Sequence, residues 1–315
     1  MKKILSIDGG GIRGIIPALV LAEIEQKTGQ PIADLFDLII GTSTGGLLAL
    51  GLGKRDATGK PQYSAKNLSA LYEKRGEDIF SRSLWRRTPG YNIADEKYSH
   101  DGLETLLEEY FGNATLGQLK PHTVVTTYDL HQRDPLFLKS WSAPHQDIRI
   151  REAARATSAA PTYFEPLPLR VNDKKCALVD GGVFINNPAV SGYAEAHKIF
   201  PGEDLFLVSL GTGQMTREIP FKEAKDWGQA AWVMPLLSCM FDGVSDAADY
   251  QMQQIMPAGT YFRLQVNLGK KSDPLSANDD MDDTREQNIQ DLKALAAHLI
   301  STRQNDLNAI CTALA

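Results

Sequence analysis

Residues 36–48 read Phe36-Asp-Leu-Ile-Ile-Gly41-Thr-Ser43-Thr-Gly45-Gly-Leu-Leu48 and join an apolar, β-branched run to a leucine-rich run through one short turn. The first run is typical of a buried strand and the second of a helix. The turn matches G-x-S-x-G, in which small residues flank a serine whose hydroxyl projects from the edge of a sheet. We therefore predict that Ser43 is a nucleophile at a helix N-terminus, where the helix dipole favours developing negative charge. The alternative is a serine that only caps the helix.

The same succession of strand, turn and helix recurs along the chain. Lys3–Ile7 is an apolar run that leads into three glycines, and apolar residues at helical spacing follow Gly14. Further strand-like runs lie at residues 122–127, 136–141, 176–179 and 205–210, and helical patterns lie at 103–111, 150–156, 189–200 and 289–300. This alternation predicts an α/β fold, a three-layer α/β/α sandwich with a mostly parallel central sheet.

Length and composition favour one globular domain. The 315 residues are 43% hydrophobic, and they contain neither an internal repeat nor a Ser/Gly-rich linker. We predict a single domain over residues 1–315, with the motifs in residues 3–213 and residues 214–315 as an extension of the same domain. The segments expected to be least ordered are Arg55–Ser64, Arg82–Tyr98 and the acidic, solvated Lys270–Thr284.

Charge and cysteine content limit the partners and the compartment. A net charge of −6 argues against a protein that binds a nucleic-acid polymer. Three cysteines, far apart and odd in number, suit a reducing cytoplasm, and neither a signal peptide nor a membrane span is evident. No clustered metal-ligating residues are evident, so neither a metal nor an organic cofactor is expected. We expect a cytoplasmic protein.

Two segments suit contact with a membrane or a second chain. Lys74–Arg87 carries five basic and two acidic side chains, and Trp85-Arg86-Arg87 within it offers an aromatic anchor with two cations. A solvated loop is the equal alternative there. Ala230–Phe241 is unusually apolar, and core packing is its favoured interpretation. A lid, a lipid-docking face or a homodimer interface is the alternative.

The glycine turn after the first strand admits two chemical roles. Gly9, Gly11 and Gly14 satisfy G-x-G-x-x-G, but the acidic residue that a dinucleotide site needs, Asp34, precedes the second strand instead of following it. Three consecutive glycines instead leave backbone N–H groups unshielded at the mouth of a helix. Beside a nucleophilic serine they predict an oxyanion hole made by Gly9, Gly10 and Gly11. A purely structural turn is the alternative.

The choice of catalytic base departs from the usual triad. A Ser-His-Asp enzyme needs a late histidine, but His197 and His298 fall inside amphipathic helical patterns. Asp180 follows the apolar run Cys176–Val179 and precedes two glycines, so it stands at a strand end with room around it. We predict that Asp180 is the base, in a site whose desolvation raises its pKa. A structural Asp-Gly-Gly turn is the alternative.

Three motifs, in this order, resemble those of the patatin-like phospholipase family: Asp8-Gly-Gly-Gly-Ile-Arg-Gly14, Gly41-Thr-Ser-Thr-Gly45 and Asp180-Gly-Gly182. Residues 156–164 and 186–188 also resemble family segments. The resemblance implies a sandwich related to the α/β-hydrolases, with Ser43 as nucleophile, Asp180 as its only catalytic partner and Gly9 to Gly11 as the oxyanion loop. The expected supporting residues are Arg13, Gly41, Gly45, Gly181 and Gly182.

The resemblance implies a serine-dependent lipid acyl hydrolase of the phospholipase A or lysophospholipase type. Such enzymes cleave fatty-acyl esters of phospholipids or other acyl lipids through an acyl-serine, and we expect transient docking on a membrane surface. One alternative keeps this chemistry in a membrane-degrading antiphage effector that a cyclic nucleotide activates. Another is a non-enzymatic storage or binding protein on the same scaffold, against which the intact serine and aspartate argue. A homodimer is left open.

Overall fold

Short apolar runs build the central sheet of the molecule. The computed structural model describes residues 1–79, 101–215, 218–270 and 272–315. Within these ranges the sheet contains β1 (Lys2–Ile7), β2 (Leu38–Thr42), β3 (His122–Asp129), β4 (Asp134–Lys139), β5 (Leu167–Val171), β6 (Lys174–Asp180), β7 (Leu205–Leu210) and β8 (Tyr261–Leu264). The inner strands β1, β2 and β7 are rich in leucine and isoleucine or valine, as expected of strands buried on both faces.

The order of the strands brings three strand ends together. The path runs β5-β6-β3-β2-β1-β7-β8, and β4 pairs with β3 off this path. β1, β2, β3, β7 and β8 are paired in parallel, whereas β4, β5 and β6 join antiparallel. Ile7 pairs with Gly41, and Thr127 pairs with Asp180. The turns that follow β1 and β2 therefore meet the last residue of β6 at one edge of the sheet.

Helices cover both faces of this sheet. They are α1 (Ile15–Thr28), α2 (Ile32–Leu35), α3 (Thr44–Gly53), α4 (Ala65–Ile79), α5 (Asp101–Phe111), α6 (Ile150–Thr157), α7 (Ala189–Ile199), α8 (Phe221–Ala224), α9 (Gln229–Ile255), α10 (Glu286–Thr302) and α11 (Gln304–Leu314). Successive strand residues point to opposite faces, so Leu5 and Ile39 pack with α1 and α3 while Ile4 and Leu38 pack with α7 and α9. The predicted three-layer sandwich is confirmed.

The first half of α9 corrects one prediction. Trp232, Val233 and Leu236 are 39%, 45% and 50% exposed, so the favoured core-packing interpretation of Ala230–Phe241 is wrong for these side chains. The reason is that, among the α9 side chains that the structure describes, those that reach the core lie in its second half, where Met252 is fully buried. The earlier turns of α9 therefore present apolar side chains to solvent.

The acidic segment 270–284 is a loop with exposed and half-exposed residues where it is described, as predicted. One part of it is not free in solvent, since the carbonyl of Met281 accepts the N–H of Ile12 at 2.8 Å. Met281 therefore packs on the glycine turn. The predicted loop Arg82–Tyr98, including Trp85-Arg86-Arg87, lies outside the described residues.

Candidate active site

Ser43 lies in the turn between β2 and α3 with a backbone conformation that side chains rarely adopt. Its φ is 53° and its ψ is −122°. A Cβ at Gly41 would lie 2.1 Å from the carbonyl oxygen of Gly45, and a Cβ at Gly45 would lie 2.2 Å from that of Ile7. Because these neighbours are backbone atoms, only glycine fits at both positions. The close approach of strand and helix thus holds Ser43 in a strained turn on the wall of a cavity, called here the Ser43 cavity.

The backbone of Ser43 is bound on both sides. Its carbonyl accepts the N–H of Leu47 at 3.0 Å, and its own N–H donates to Oγ1 of Thr157 at 2.9 Å. Thr157 is the last residue of α6, so a hydrogen bond from a second helix stabilises the turn. The predicted position of Ser43 at the start of a helix is confirmed, since α3 begins at the next residue.

Asp180 ends β6 and lines the same cavity. The residue is only 3% exposed, and its Oδ1 accepts the N–H of Gly182 at 2.7 Å. A Cβ at Gly181 would lie 2.0 Å from Oγ1 of Thr126, so the chain passes very close to β3 just after Asp180. This contact requires glycine at position 181 and fixes the direction in which the carboxylate leaves the sheet.

Burial changes the acid–base character of Asp180. Removal from water disfavours the ionised carboxylate and raises its pKa from 3.8 to about 7. Hydrogen bonds from the side chain of Ser43 and from the N–H of Gly182 favour the ionised form and limit the rise in pKa. The predicted desolvation of this carboxyl is confirmed. A carboxylate with a pKa near neutrality is a much stronger base than an exposed aspartate, while a large fraction of it is ionised at physiological pH.

Gly9 lies against Ser43 and is held by two distant segments. Its N–H donates to the carbonyl of Asn186 at 3.1 Å, and its carbonyl accepts the hydroxyl of Thr212 at 2.6 Å. A Cβ at Gly9 would lie 2.5 Å from Oδ1 of Asn186 and 3.3 Å from Cβ of Ser43. The N–H of Gly9, one of the three predicted oxyanion donors, is therefore already engaged within the protein.

The N–H groups of Gly10 and Gly11 are in a different situation. Both residues line the Ser43 cavity, and neither N–H meets an acceptor among the residues that the structure describes. In a trans peptide the N–H points opposite to the C=O of the same unit. The Gly9 carbonyl is bound by Thr212, and the Gly10 carbonyl accepts Nε of Arg13 at 3.1 Å. These bonds fix the directions of the two unengaged N–H groups.

Arg13 is charged although it is only 5% exposed. Its Nε holds the Gly10 carbonyl, whereas its Nη1 has no hydrogen-bond partner among the described residues. Removal from water lowers the pKa of the guanidinium, and the nearby carboxylate of Asp242 opposes that shift. The predicted supporting residue thus has a structural basis, and it leaves one donor unpaired.

Asp8 anchors the start of the glycine turn through a buried ion pair. Its two carboxylate oxygens accept Nη1 of Arg263 at 2.9 Å and Nη2 at 2.5 Å. Nη1 of Arg263 also donates to Oγ of Ser209 at 2.8 Å. Such bidentate geometry satisfies both buried charges. Arg263 lies on β8, so a strand far along the chain positions the turn beside Ser43.

The described histidines lie away from Ser43. None of those that the structure describes lines the Ser43 cavity, and His100 falls outside the described residues. His197 stacks edge-on against Tyr193 on α7, with ring centroids 4.5 Å apart, and His298 lies on the exposed side of α10. Among the described side chains on the wall of the cavity, Asp180 is the carboxyl that interacts with Ser43.

Sequence reasoning assigned no part to the residues that hold the two turns. They are Thr157 behind Ser43, Asn186 and Thr212 around Gly9, Arg263 on Asp8, and Met281 over the glycine turn. Thr157 and Asn186 fall in the two family-like segments, residues 156–164 and 186–188, which was the available signal. Nothing in the sequence around Thr212 or Met281 indicates their contacts, because these arise only in the folded chain.

Comparison with known proteins identifies the family that the sequence motifs resemble. The family model described as patatin-like phospholipase matches residues 5–192. Patatin-like protein 4 of Arabidopsis thaliana is 30% identical over 97% of this chain and 84% of that protein. The cGAMP-activated phospholipase of Pseudomonas aeruginosa is 35% identical over 83% of this chain and 77% of that protein. Human GIVD cytosolic phospholipase A2 has a similar fold, with a TM-score of 0.51 and 15% identity over 99% of this chain and 59% of that one.

Proposed function

The chain belongs to the patatin-like phospholipase family, and we propose that it hydrolyses fatty-acyl esters of membrane lipids through an acyl-Ser43 intermediate. One observation carries the proposal: a strained serine and a buried carboxyl of near-neutral pKa share one cavity wall. Family membership supports a lipid-ester hydrolase. The Ser43–Asp180 dyad is supported by the geometry of this chain, and the phospholipase A or lysophospholipase type is what the family resemblance implies.

Acylation begins with proton transfer. The ionised carboxylate of Asp180 accepts the hydroxyl proton of Ser43 as Oγ attacks the acyl carbonyl carbon. The carbonyl oxygen becomes negatively charged and is stabilised by the N–H groups of Gly10 and Gly11, whose directions are already set. Because the Gly9 N–H is engaged with Asn186, the oxyanion hole proposed here has two backbone donors instead of the three predicted.

The remaining steps return the enzyme to its starting state. Protonated Asp180 gives its proton to the departing glycerol oxygen as the C–O bond breaks, which leaves the acyl-Ser43 ester. Water then loses a proton to Asp180 and attacks the acyl carbon. Collapse of the second tetrahedral intermediate releases the fatty acid, and Ser43 recovers its proton. A pKa of about 7 lets Asp180 exchange this proton in both directions at physiological pH.

The wall of the Ser43 cavity suits an acyl chain. Most of the side chains that line it besides Ser43 and Asp180 are apolar or aromatic: Leu47, Tyr72, Leu103, Ala160, Tyr163, Phe164, Phe241 and Met281. Each methylene removed from water contributes about 0.8 kcal/mol, so even a short stretch of acyl chain binds favourably. A fatty-acyl substrate is therefore favoured over a small acetyl ester.

An exposed apolar stripe on α9 is the proposed membrane contact. Trp232, Leu236 and Met240 recur at intervals of four, on one side of the helix, and are 39–50% exposed. Phe241, the next residue, lines the Ser43 cavity, so the stripe adjoins its mouth. Within the described residues no helix is long and apolar enough to cross a membrane. We therefore propose that the protein docks transiently on lipid through this stripe.

A second candidate adds regulation to the same chemistry. The relative from Pseudomonas aeruginosa is named a cGAMP-activated phospholipase, and at 35% identity it favours the hypothesis that a cyclic nucleotide activates this chain too. Phospholipid hydrolysis measured with and without cGAMP tests this directly. A rate increase that saturates with cGAMP supports activation, whereas equal rates at all concentrations exclude cGAMP as the activator.

The decisive test of the dyad is hydrolysis of a phospholipid panel by wild type, Ser43→Ala and Asp180→Asn. We expect each variant to lose roughly 10³-fold or more of kcat/KM, since nucleophile and base act as one unit. The double variant should be little worse than either single variant. A fluorophosphonate probe should label Ser43 in the wild type.

His197→Gln and His298→Gln serve as controls and should keep most of the turnover. If either lost about 10³-fold, a conventional triad would replace the dyad. Full activity in Ser43→Ala, or labelling of another serine, would overturn the proposal. A folded wild type without activity toward any acyl lipid would favour the storage or binding protein.

A further inference from the structure

In the described part of the chain, two further spaces share walls with the Ser43 cavity. The larger space has a volume of about 390 Å³ and shares Phe241 and Met281 with it. The other is a narrow crevice that shares Leu47 and Leu103. The Ser43 cavity itself holds about 50 Å³, far below the roughly 300 Å³ of the smallest common ligand sites. A long acyl chain whose ester lies at Ser43 therefore has to extend beyond this cavity.

The larger space is a poor environment for a hydrocarbon chain. Seven acidic side chains line it, among them Glu223, Asp242 and Asp280. An acyl chain packed against these groups would remove water from charged oxygens, and that loss of hydration costs free energy. The acyl chain is therefore expected to leave the Ser43 cavity in another direction.

The crevice has the opposite character. It lies between α3, α4 and α5 and is lined by six leucines together with Tyr110 and Phe111, so it is called here the leucine crevice. None of the described side chains that line it carries a charge, and all six leucines are at most 7% exposed. Buried apolar space of this kind excludes water and takes up apolar ligands.

Apolar side chains lead from Ser43 to the leucine crevice. Leu47 lies one turn of α3 after Ser43, with its N–H bonded to the Ser43 carbonyl, and it borders both spaces. On α4, Leu71 lines the crevice and the adjacent Tyr72 lines the Ser43 cavity. The Tyr72 hydroxyl is already bonded to Oγ1 of Thr44 at 2.7 Å, so its ring is the part offered to a ligand. Both helices therefore present hydrocarbon surface along this path.

One side of α5 gives the length of the path. Leu103 borders both spaces, whereas Leu107 and Phe111, four and eight residues later, line the leucine crevice but not the Ser43 cavity. At 1.5 Å per residue they lie about 6 and 12 Å further along the helix. One leaflet of a bilayer contributes about 15 Å of hydrocarbon, so this path spans most of the length of a membrane acyl chain.

We propose that the acyl chain of the substrate enters the leucine crevice, and that Leu71 and Leu107 limit the length of chain that the enzyme accepts. The inference rests on the proposed function, because it places the tail of an acyl group whose ester is at Ser43. The crevice holds about 10 Å³ before a chain enters, so leucine side chains have to change rotamer to admit it. Each methylene that leaves water favours binding about fourfold and offsets the cost of these changes.

The test compares p-nitrophenyl butyrate with p-nitrophenyl octanoate, both dissolved as monomers. A butyryl chain is short enough to stay in the Ser43 cavity, whereas an octanoyl chain has to extend into the leucine crevice. The measured quantity is the ratio of kcat/KM for octanoate to that for butyrate. We expect the wild type to favour octanoate at least about tenfold. Leu107→Phe fills the crevice and should lower the ratio about tenfold, while butyrate hydrolysis stays nearly unchanged.

Two further variants keep the result interpretable. Leu71→Phe narrows the leucine crevice from α4 and should also lower the ratio, and it decides if Leu107→Phe fails to fold. Leu119→Phe is the matched control. Leu119 and Leu107 are both 4% exposed and belong to the same core cluster, but Leu119 borders neither the Ser43 cavity nor the leucine crevice. Leu119→Phe should leave the ratio unchanged, and because the same folded molecules hydrolyse both esters, the ratio does not depend on the folded fraction.

The outcomes separate the two proposals. Hydrolysis that survives Ser43→Ala would defeat the proposed function whatever the ratio is. Hydrolysis that depends on Ser43 but shows no preference for octanoate would overturn the acyl-chain site alone. The same holds for a ratio that Leu107→Phe and Leu71→Phe leave unchanged, or that Leu119→Phe lowers equally. Equal losses for butyrate and octanoate would mean that the substitutions distort the active site instead of blocking a chain, and they would also overturn the inference.

Discussion

The serine turn, residues 41–45, and the glycine turn, residues 8–14, lie side by side, yet the groups that hold them come from different parts of the chain. In the serine turn, glycines at positions 41 and 45 are required by backbone atoms of the same turn and of adjacent β1. The glycine turn is held by Asn186, Thr212 and Met281, and by Arg263 through Asp8. The serine turn is shaped mainly by close backbone contacts within itself and to β1, whereas the glycine turn is held by backbone and side-chain groups from distant segments. The two turns should therefore respond differently to substitution.

The largest expected effect is the loss of stability when a glycine in either turn is replaced by alanine. A second substitution should recover part of that loss in the glycine turn but not in the serine turn. Gly41→Ala places a Cβ 2.1 Å from a backbone oxygen, whereas Gly10→Ala places one 2.3 Å from the side chain of Thr212. Each should cost about 4 kcal/mol or more, or prevent folding. Thr212→Gly should restore part of the stability of Gly10→Ala, since the clashing side chain is gone. Chemical denaturation of single and double variants measures the rescue.

The controls for this comparison are simple. Gly243 lies within α9 with no atom within 4 Å of an added Cβ, so Gly243→Ala should be neutral or more stable by up to about 1 kcal/mol. If Thr212→Gly gave Gly10→Ala no recovery, the glycine turn would also be set by its backbone alone, and the distinction between the two turns would fail.

This distinction explains which parts of the fold the sequence predicts. β1 and β7 were predicted within one residue of their observed bounds because each is a continuous apolar run. β5 was missed because it is an edge strand that contains Pro168. β8 was missed because its four residues include Arg263, and α9 because Pro235 interrupts its pattern. In these three elements the apolar pattern is short or interrupted, so their position depends on partners that the sequence does not reveal.

The same holds for the candidate site. Ser43 and Asp180 were identifiable because glycines that flank them in sequence also shape the turns that present them. The engagement of the Gly9 N–H was not identifiable, because its acceptor, the carbonyl of Asn186, lies 177 positions away and is a backbone group. Residue type carries no information about where a carbonyl points. The contact between the glycine turn and Met281 supports the prediction that residues 214–315 belong to the same domain, which limited proteolysis would test.

A substitution at Arg263, which is distant in sequence from the glycine turn, should destabilise that turn. Arg263→Met leaves Asp8 buried without its partner and should lower the free energy of unfolding by about 3–5 kcal/mol. Arg151→Met removes the exposed ion pair with Glu108 and should cost about 1 kcal/mol or less. Denaturant melts of both variants measure the difference. Equal losses would mean that the Asp8 pair contributes no more than a surface pair, and that the glycine turn does not depend on β8.

The pKa of Asp180, the proposed partner of Ser43, predicts how stability and activity change with pH. Its pKa in the folded protein, about 7, lies above the ordinary value of 3.8, so the folded state holds the proton more tightly. This contribution to stability is complete below about pH 4 and is lost as the pH rises through 7, a change of at most about 4 kcal/mol. Asp180→Asn should therefore match the wild type near pH 4 and be more stable at pH 8. Wild-type kcat/KM should rise about tenfold per pH unit below 7 and level off above it.

Thermal melts at pH 5 and pH 8 and a pH–rate profile measure these two effects together. The stability difference between Asp180→Asn and wild type should widen over the same pH range in which wild-type activity rises. A variant that is less stable than the wild type at pH 8 would show that the carboxylate is satisfied as a structural cap of the Asp-Gly-Gly turn. An activity plateau that extends to pH 5 would exclude Asp180 as the base.

The smallest expected effect measures the strain in the serine turn alone. Ser43 has a φ of 53°, where a Cβ is unfavourable, so Ser43→Gly should relieve strain that Ser43→Ala keeps. Both variants lack the nucleophile and should be inactive, but Ser43→Gly should be more stable than Ser43→Ala by about 1 kcal/mol. At Ser191, inside α7, the order should reverse, because glycine in a helix is about 1 kcal/mol less favourable than alanine. Paired denaturant melts at both positions decide the matter: if alanine were the more stable replacement at position 43 as well, the turn would be relaxed, and local sterics would not explain how it presents Ser43.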